Sequence, residues 1–200
     1  MSKRYGIIYA DPPWRFKSYS MKQEAEAGEA WGRAKEGSHY DVMNTQEICD
    51  LPVSEIADIN CVLFLWATFP KLPDALQVME AWGFQYKTVG YTWVKQNPSG
   101  KGIHFGMGYW TRQNAEIVLL GTRGKPKRVS GGVSSVVLTP RGRHSAKPIE
   151  VRDRILQLMG DIPRVELFAR ETAPGWDCIG NEIDGISIQK KLKEMIVGDE

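Results

Sequence analysis

The sequence predicts an α/β fold built on a mostly parallel sheet with helices on both faces. Three observations predict it. Short apolar runs recur along the chain and are separated by segments with helical spacing. Most of the runs are apolar throughout, the pattern of strands buried on both sides, and residues 84–95 alternate loosely. A chain of 200 residues, 42% of them hydrophobic, also suits one sizeable core. A single domain over residues 1–200 is therefore expected, with no repeat and no splitting linker.

The first strand is expected at residues 5–10, where an apolar run stops abruptly at Asp11-Pro12-Pro13. Residues 15–43 are polar and lack periodicity, and a loop that long is usually functional or disordered. Asn44 and Glu47 have capping-box spacing and predict a short helix before Leu51-Pro52. Residues 61–67 form a second buried run. Leu72, Leu76, Met79 and Trp82 then recur at helical spacing, with Pro70 and Pro73 at the start and Gly83 past the end.

Residues 84–95 read as strand, and 115–121 as another; glycines and aromatics fill the stretch between them. After a Gly- and Ser-rich segment at 122–146, Pro148 is expected as a first helical residue. Val151, Ile155 and Leu158 mark that helix's apolar face down to Gly160. Residues 164–169 predict one more strand, and a closing helix is expected from about 183 to 195.

Composition excludes several classes. Cys49, Cys61 and Cys178 lack the spacing of a disulfide framework or a zinc site, which implies a reducing, cytoplasmic setting. His39, His104 and His144 have no metal-ligand spacing, so no metal is expected. No signal-peptide pattern and no membrane-length apolar run occurs. The formal net charge is only +2, but its distribution is uneven. No acidic residue lies between Glu116 and Glu150, a stretch holding Arg123, Lys125, Lys127, Arg128, Arg141, Arg143, His144 and Lys147. Such a stretch either meets phosphate or is a solvated face.

The candidate chemistry sits at the end of the first strand, in Asp11, Pro12, Pro13 and Trp14. Ligands of open α/β sheets collect outside the carboxyl ends of strands. Two prolines lock φ and restrict the residue before each, so a carboxylate and a backbone carbonyl there point in fixed directions. Two fixed acceptors suit an aromatic amine. Its lone pair is delocalised into the ring, and gripping both N–H groups draws the nitrogen toward tetrahedral geometry and aims the pair at an electrophile. Trp14, or a Tyr from a neighbouring loop, is placed to stack on the ring. The alternative is a proline-stiffened turn with a capping Asp.

Beyond this motif the chain resembles the MT-A70 family of adenine-N6 methyltransferases, in its bacterial and phage DNA-directed branch. The likeness runs in order through Tyr9 to Trp14, Tyr40-Asp41-Val42-Met43, Leu63-Phe64-Leu65-Trp66, Trp82-Gly83-Phe84 and Trp93-Val94-Lys95. It continues through Gly106 to Trp110, Glu116 to Gly121, Lys147-Pro148, Glu166 to Arg170, Gly175-Trp176 and Gly180-Asn181-Glu182.

The resemblance implies a Rossmann-like class I methyltransferase fold with permuted motif order, the catalytic half preceding the cofactor half. It implies S-adenosylmethionine as cofactor, held by Asp11, Lys147, Glu166, Leu167, Phe168, Arg170, Asn181 and Glu182. Lys147 would lie near the methionyl carboxylate, and Asn181-Glu182 with the strand residues near ribose and adenine. Taken singly, Lys147 also reads as a solvated residue before a helix, and Asn181 as a helix cap. No GxGxxG signature is present. Eukaryotic members carry His where this chain has Ala146 and often Gln where it has Glu182.

DNA is the implied partner, ahead of RNA. Tyr40, Tyr109, Trp110, Lys125, Lys127, Arg128, Arg141 and Arg143 are the expected nucleic-acid contacts, although Tyr109 and Trp110 equally suit a core. Alternatives are RNA adenine-N6 or cytosine-N4 methylation, or a non-catalytic nucleic-acid-binding subunit; a homo-oligomer is compatible with all of these.

Overall fold

A computed structural model of the chain describes residues 3–15, 42–108, 110–142 and 146–198. Among the described residues, seven strands form one sheet in the order β5-β3-β4-β2-β1-β6-β7. They are β1 (Tyr5–Ala10), β2 (Ala57–Ala67), β3 (Gln85–Gln96), β4 (Ala115–Arg123), β5 (Val136–Pro140), β6 (Arg164–Leu167) and β7 (Asp177–Ile179). The β7, β6, β1 and β2 strands run parallel, and β3 and β5 share their direction. Only β4 is antiparallel to its neighbours, so the sheet is mostly parallel, as predicted.

The described helices are α1 (Thr45–Cys49), α2 (Val53–Ile56), α3 (Leu72–Ala81), α4 (Ile149–Met159), α5 (Asn181–Asp184) and α6 (Ile188–Val197). They cover both faces because strand side chains alternate between faces. Ile8, Ala10, Leu63 and Leu65 point to the layer of α1, α2, α3 and α6. Ile7, Tyr9, Phe64 and Trp66 point to Val151, Ile155 and Met159 of α4 and to Trp176. None of the described helices is long and apolar enough to cross a membrane.

Local chemistry sets the helix ends. Asn44 and Glu47 form the reciprocal capping box at α1. α3 starts at prolines and stops before Gly83 at φ 80°. Its buried face is Ala75, Val78 and Met79, with Trp82 just beyond, while the expected Leu76 is 36% exposed. Pro148 is the N-cap of α4 rather than its first residue, and Met159 takes the buried position expected of Leu158.

The closing helix is two helices. Gly185 adopts φ 74°, ending α5 in a left-handed cap, and the Ser187 side chain accepts from the Lys190 amide to start α6. Asn181 therefore caps neither: Gly180 and Ser187 do. Two short strands escaped the sequence reading. β5 lies inside the Gly- and Ser-rich segment and buries only Val137 fully, and β7 has three residues.

Candidate active site

The sequence arranges a switch point. From β1 the chain moves to β2 on one side, and it returns much later to β6 on the other. Connections that leave in opposite directions open a crevice outside the carboxyl ends of the strands between them. A cleft lies there, lined by Tyr9, Asp11, Ala146, Lys147, Pro148, Arg152, Glu166, Phe168, Arg170 and Glu171.

Asp11 is fixed in this cleft from several sides. Its amide reaches the Leu167 carbonyl of β6 at 3.5 Å. Past it, the Trp14 amide donates to the Pro12 carbonyl (2.8 Å), and the Met43 amide donates to the Pro13 carbonyl (2.9 Å). Each proline carbonyl keeps a second lone pair available. Trp14 departs from the expected stacking role. It is 7% exposed, packs in the core, and donates its indole N–H to the Trp66 carbonyl at 3.1 Å. The Trp66 indole in turn donates to the Tyr9 hydroxyl at 2.6 Å. Trp14 thus braces the strand ends beneath the site. Tyr9 serves as acceptor here; burial, with the Glu166 charge adding to it, pushes its phenol well above the ordinary tyrosine value.

The electrostatics join four residues from β1, β3, β4 and the segment before α4. The Lys147 ammonium bonds Asp11 Oδ2 at 2.7 Å and lies 3.4 Å from Glu116 Oε2, while Lys95 pairs with Glu116 Oε1. Lys147 also sits 5.3 Å from the centre of the Trp66 ring, and Lys95 5.0 Å from that of Trp93. Burial raises the Asp11 carboxyl above the ordinary aspartate value, against the opposing pull of Lys147. Burial also opposes ionisation of Glu116, but the Lys147 and Lys95 charges outweigh it and hold that carboxyl below its ordinary value. Lys147 is raised in turn: Asp11 and Glu116 more than offset its burial. Glu116 was not among the expected site residues. The signal that could have found it is a lone acid opening an otherwise apolar strand.

The structure brings Asp11, Lys147, Glu166, Phe168 and Arg170 to one cleft. Glu166 is gripped by the Arg152 guanidinium through two bonds of 2.6 and 2.8 Å. Phe168 has φ 62°, a left-handed conformation uncommon outside glycine and typical of constrained sites. Glu182 reaches the cleft through Arg170 at 3.6 Å, with Asn181 exposed beside it. Leu167 does not reach it: its side chain is fully buried in the core, leaving only its backbone at the site.

The expected nucleic-acid residues divide. β4 runs away from the cleft, so its end, Arg123, pairs with Cys61 near the start of β2. Gly124 abuts Ile59, and the Lys125 amide bonds the Asn60 side chain. Lys125, Lys127 and Arg128 therefore belong to the opposite edge of the sheet. From Trp66, beside Asp11's level, to Cys61 is roughly 17 Å of strand. Arg141 returns to the catalytic edge, its amide bonded to the Gln96 carbonyl at 3.2 Å, and Trp110 projects from the same edge, 99% exposed. Exposure removes the core reading of Trp110. Tyr40, Tyr109 and Arg143 lie outside the described residues.

An acid fixed at a switch-point cleft, followed by Pro12-Pro13-Trp14, meets a match to the MT-A70 family over residues 5–182. The chain belongs to the MT-A70 family. It is 33% identical over 198 residues to the Type II methyltransferase M.MunI of a Mycoplasma species, covering 94% of this chain and 81% of that one. It is 28% identical over 189 residues to a putative N(6)-adenosine-methyltransferase MT-A70-like of Medicago truncatula, covering 92% of this chain and 27% of the relative. It is 25% identical over 197 residues to human N(6)-adenine-specific methyltransferase METTL4, covering 90% of this chain and 38% of the relative. The chain thus spans most of the Mycoplasma relative and well under half of the plant and human ones. As an MT-A70 protein it is a methyltransferase, and the cleft beside Asp11 is its candidate active site.

Proposed function

We infer that this MT-A70 protein transfers a methyl group from S-adenosylmethionine to N6 of adenine in DNA. The observation that carries the reading is the Asp11 carboxylate, fixed outside the carboxyl end of β1 and facing the cleft shared with β6. The residues there fit the cofactor. Lys147 and Arg170 offer cations for a carboxylate; Glu166, Glu171 and Glu182 offer acceptors for ammonium and hydroxyl groups; Phe168 and Pro148 offer apolar surface for a purine. Two of the three Lys147 N–H donors are spent on Asp11 and Glu116, which leaves one for the ligand.

When bound, S-adenosylmethionine supplies an electrophilic methyl on a positively charged sulfur. The chain's part is positioning. Asp11 and the free lone pair of a proline carbonyl accept the two amine N–H bonds, pyramidalising the nitrogen. Held by these two acceptors, the nitrogen lone pair would be aimed at the methyl group that the cofactor supplies, with its sulfur as the leaving group. Asp11 also stabilises the positive charge that develops on nitrogen. The surplus proton departs after transfer, when the nitrogen has become acidic, so Asp11 need not remove it first. An adenine within a duplex must be extruded to reach this depth.

Labelled-methyl transfer to duplex DNA, single-stranded DNA and RNA, followed by nucleoside analysis, tests the reading. N6-methyladenine in DNA is expected. Label confined to RNA, or recovered on cytosine, would overturn it.

A further inference from the structure

Between β3 and β4, at the catalytic edge, the described residues build a bridged finger. Gln96 bridges Ile103 and Gly106 bridges Gln113, both antiparallel. At its root the His104 amide donates to the Lys95 carbonyl, and Asn114 Nδ2 donates to the His104 carbonyl at 2.7 Å. The tip is tight enough to demand glycine. A Cβ at Gly106 would stand 2.5 Å from the Gln113 carbonyl oxygen, and one at Gly108 2.1 Å from that of Thr111.

What the described residues of this finger expose is apolar. Phe105 is 72%, Met107 89% and Trp110 99% exposed. The other described tryptophans are at most 8% exposed, so this one stands apart. Large apolar side chains gathered at one exposed place mark a surface that something covers. Two observations say what. The finger springs from Lys95, whose ammonium belongs to the network ending on Asp11, so any polymer delivering a base to Asp11 lies alongside it. Residues 97–115 contain no acid; Lys101 is exposed in the turn at the root and Arg112 beside the tip, and Arg141 bonds at the root. An apolar tip with cations along the finger that carries it complements stacked bases between phosphates.

We propose that Met107 and Trp110 form a wedge that enters duplex DNA beside the target adenine and holds open the stack from which that base is extruded. This rests on the reading of the site as a DNA adenine methyltransferase. Apolar wedges unstack base steps, and an aromatic ring replaces the stacking that the departing base gives up. The wedge acts on duplex and is idle on a strand already unpaired.

The test compares wild type with the Met107→Ala/Trp110→Ala double variant. Both positions are solvent-exposed, and an unchanged melting temperature confirms the fold. The probe is plasmid DNA free of methylated adenine, used as duplex and after heat denaturation. The variant is expected to lose at least about tenfold in methyl transfer to duplex, and to stay within about twofold on denatured DNA. Duplex should quench the tryptophan emission of wild type and not that of the variant. Equal loss on both forms, or an unaffected duplex rate, overturns the wedge. So does a loss that tracks a change in the protein's own association state by sedimentation, which would make the tip a protein interface. If wild type itself methylates neither form, the reading of the site fails and takes the wedge with it. A normal wild-type rate with an indifferent variant sinks the wedge alone.

Discussion

The two ends of β4 carry opposite charges in the sequence and meet different fates in the structure. At its start, Glu116 is a half-buried carboxylate gripped by Lys95 and Lys147, and through Lys147 it is tied to Asp11. At its finish, Arg123 leads into Lys125, Lys127 and Arg128, exposed around the far edge of the sheet. Sequence distance misleads here. Arg128 is twelve positions from Glu116 but a strand's length away from the cleft, whereas Lys147 is 31 positions on and touches it. A reversed strand turns one basic stretch into two surfaces.

The sharpest break of this contrast is at Asp11. Asp11→Asn keeps the shape but replaces an ionised acceptor with a neutral amide. Methyl transfer should fall by on the order of 10²–10³ or more, the scale seen when a group placed for developing charge is removed. Cofactor binding by calorimetry and the melting temperature should survive. A variant with near-normal turnover would remove Asp11 from the chemistry. Glu116→Gln comes next. It leaves two ammonium groups sharing one fewer charge, and Lys147 then leans wholly on Asp11. Turnover is expected to drop about tenfold, with stability lower by about 1–3 kcal/mol, less than for a fully buried pair because the group is partly exposed. The sign follows from the depressed Glu116 pKa: its contribution is present above the ordinary glutamate value and disappears as pH falls through the lowered one. The stability gap between variant and wild type should therefore close in acid, as chemical melts at successive pH values would show.

The same network predicts a pH profile. Burial holds the Asp11 carboxyl above the ordinary aspartate value, so it protonates sooner as pH falls than an exposed aspartate does. The acid limb of kcat/KM should lie correspondingly high. Lys147→Ala removes the charge that favours the ionised form, and the limb should move further up, by about one unit or more. An acid limb that stays in place would mean that Asp11 is not the group being titrated.

What could be read beforehand follows the same line between local and remote causes. The runs that became β1, β2, β4 and β6 are apolar because both sides of each strand are covered, and that leaves a mark in the sequence itself. Asp11 was legible because two prolines end a buried strand at the edge where ligands gather. Trp14 reads locally as a stacking ring, and nothing local reveals that Trp66 offers it a carbonyl at 3.1 Å. Leu167 differs for the same kind of reason: a strand residue faces either the cleft or the core, and only the pairing of β6 with β1 decides. Glu116 was passed over because its partners lie 21 positions before it and 31 after. The break at Gly185 did have a local sign, a glycine followed by a serine cap, and the apolar spacing running across it concealed the stop.

The smallest effect is the most pointed test of the contrast. Lys125→Ala, Lys127→Ala and Arg128→Ala combined remove three positive charges, which by charge count alone should weaken any polyanion complex. If those residues lined the DNA path, each lost phosphate contact would lower affinity and flatten the dependence of log Kd on log salt by nearly one unit. The geometry argues otherwise. Lys125 is anchored at Asn60, the Val129 amide bonds the Leu158 carbonyl near the end of α4, and both places lie at the edge away from Asp11. At ordinary salt the Debye length is about 8–10 Å, so a charge roughly 17 Å or more from the cleft is largely screened from it. The triple variant should methylate duplex DNA within about twofold of wild type and keep its salt slope. Arg141→Ala, a single charge at the catalytic edge, should cost more than all three together. The opposite ranking would place the DNA path across the far edge and undo the division of β4 into a working end and an idle one.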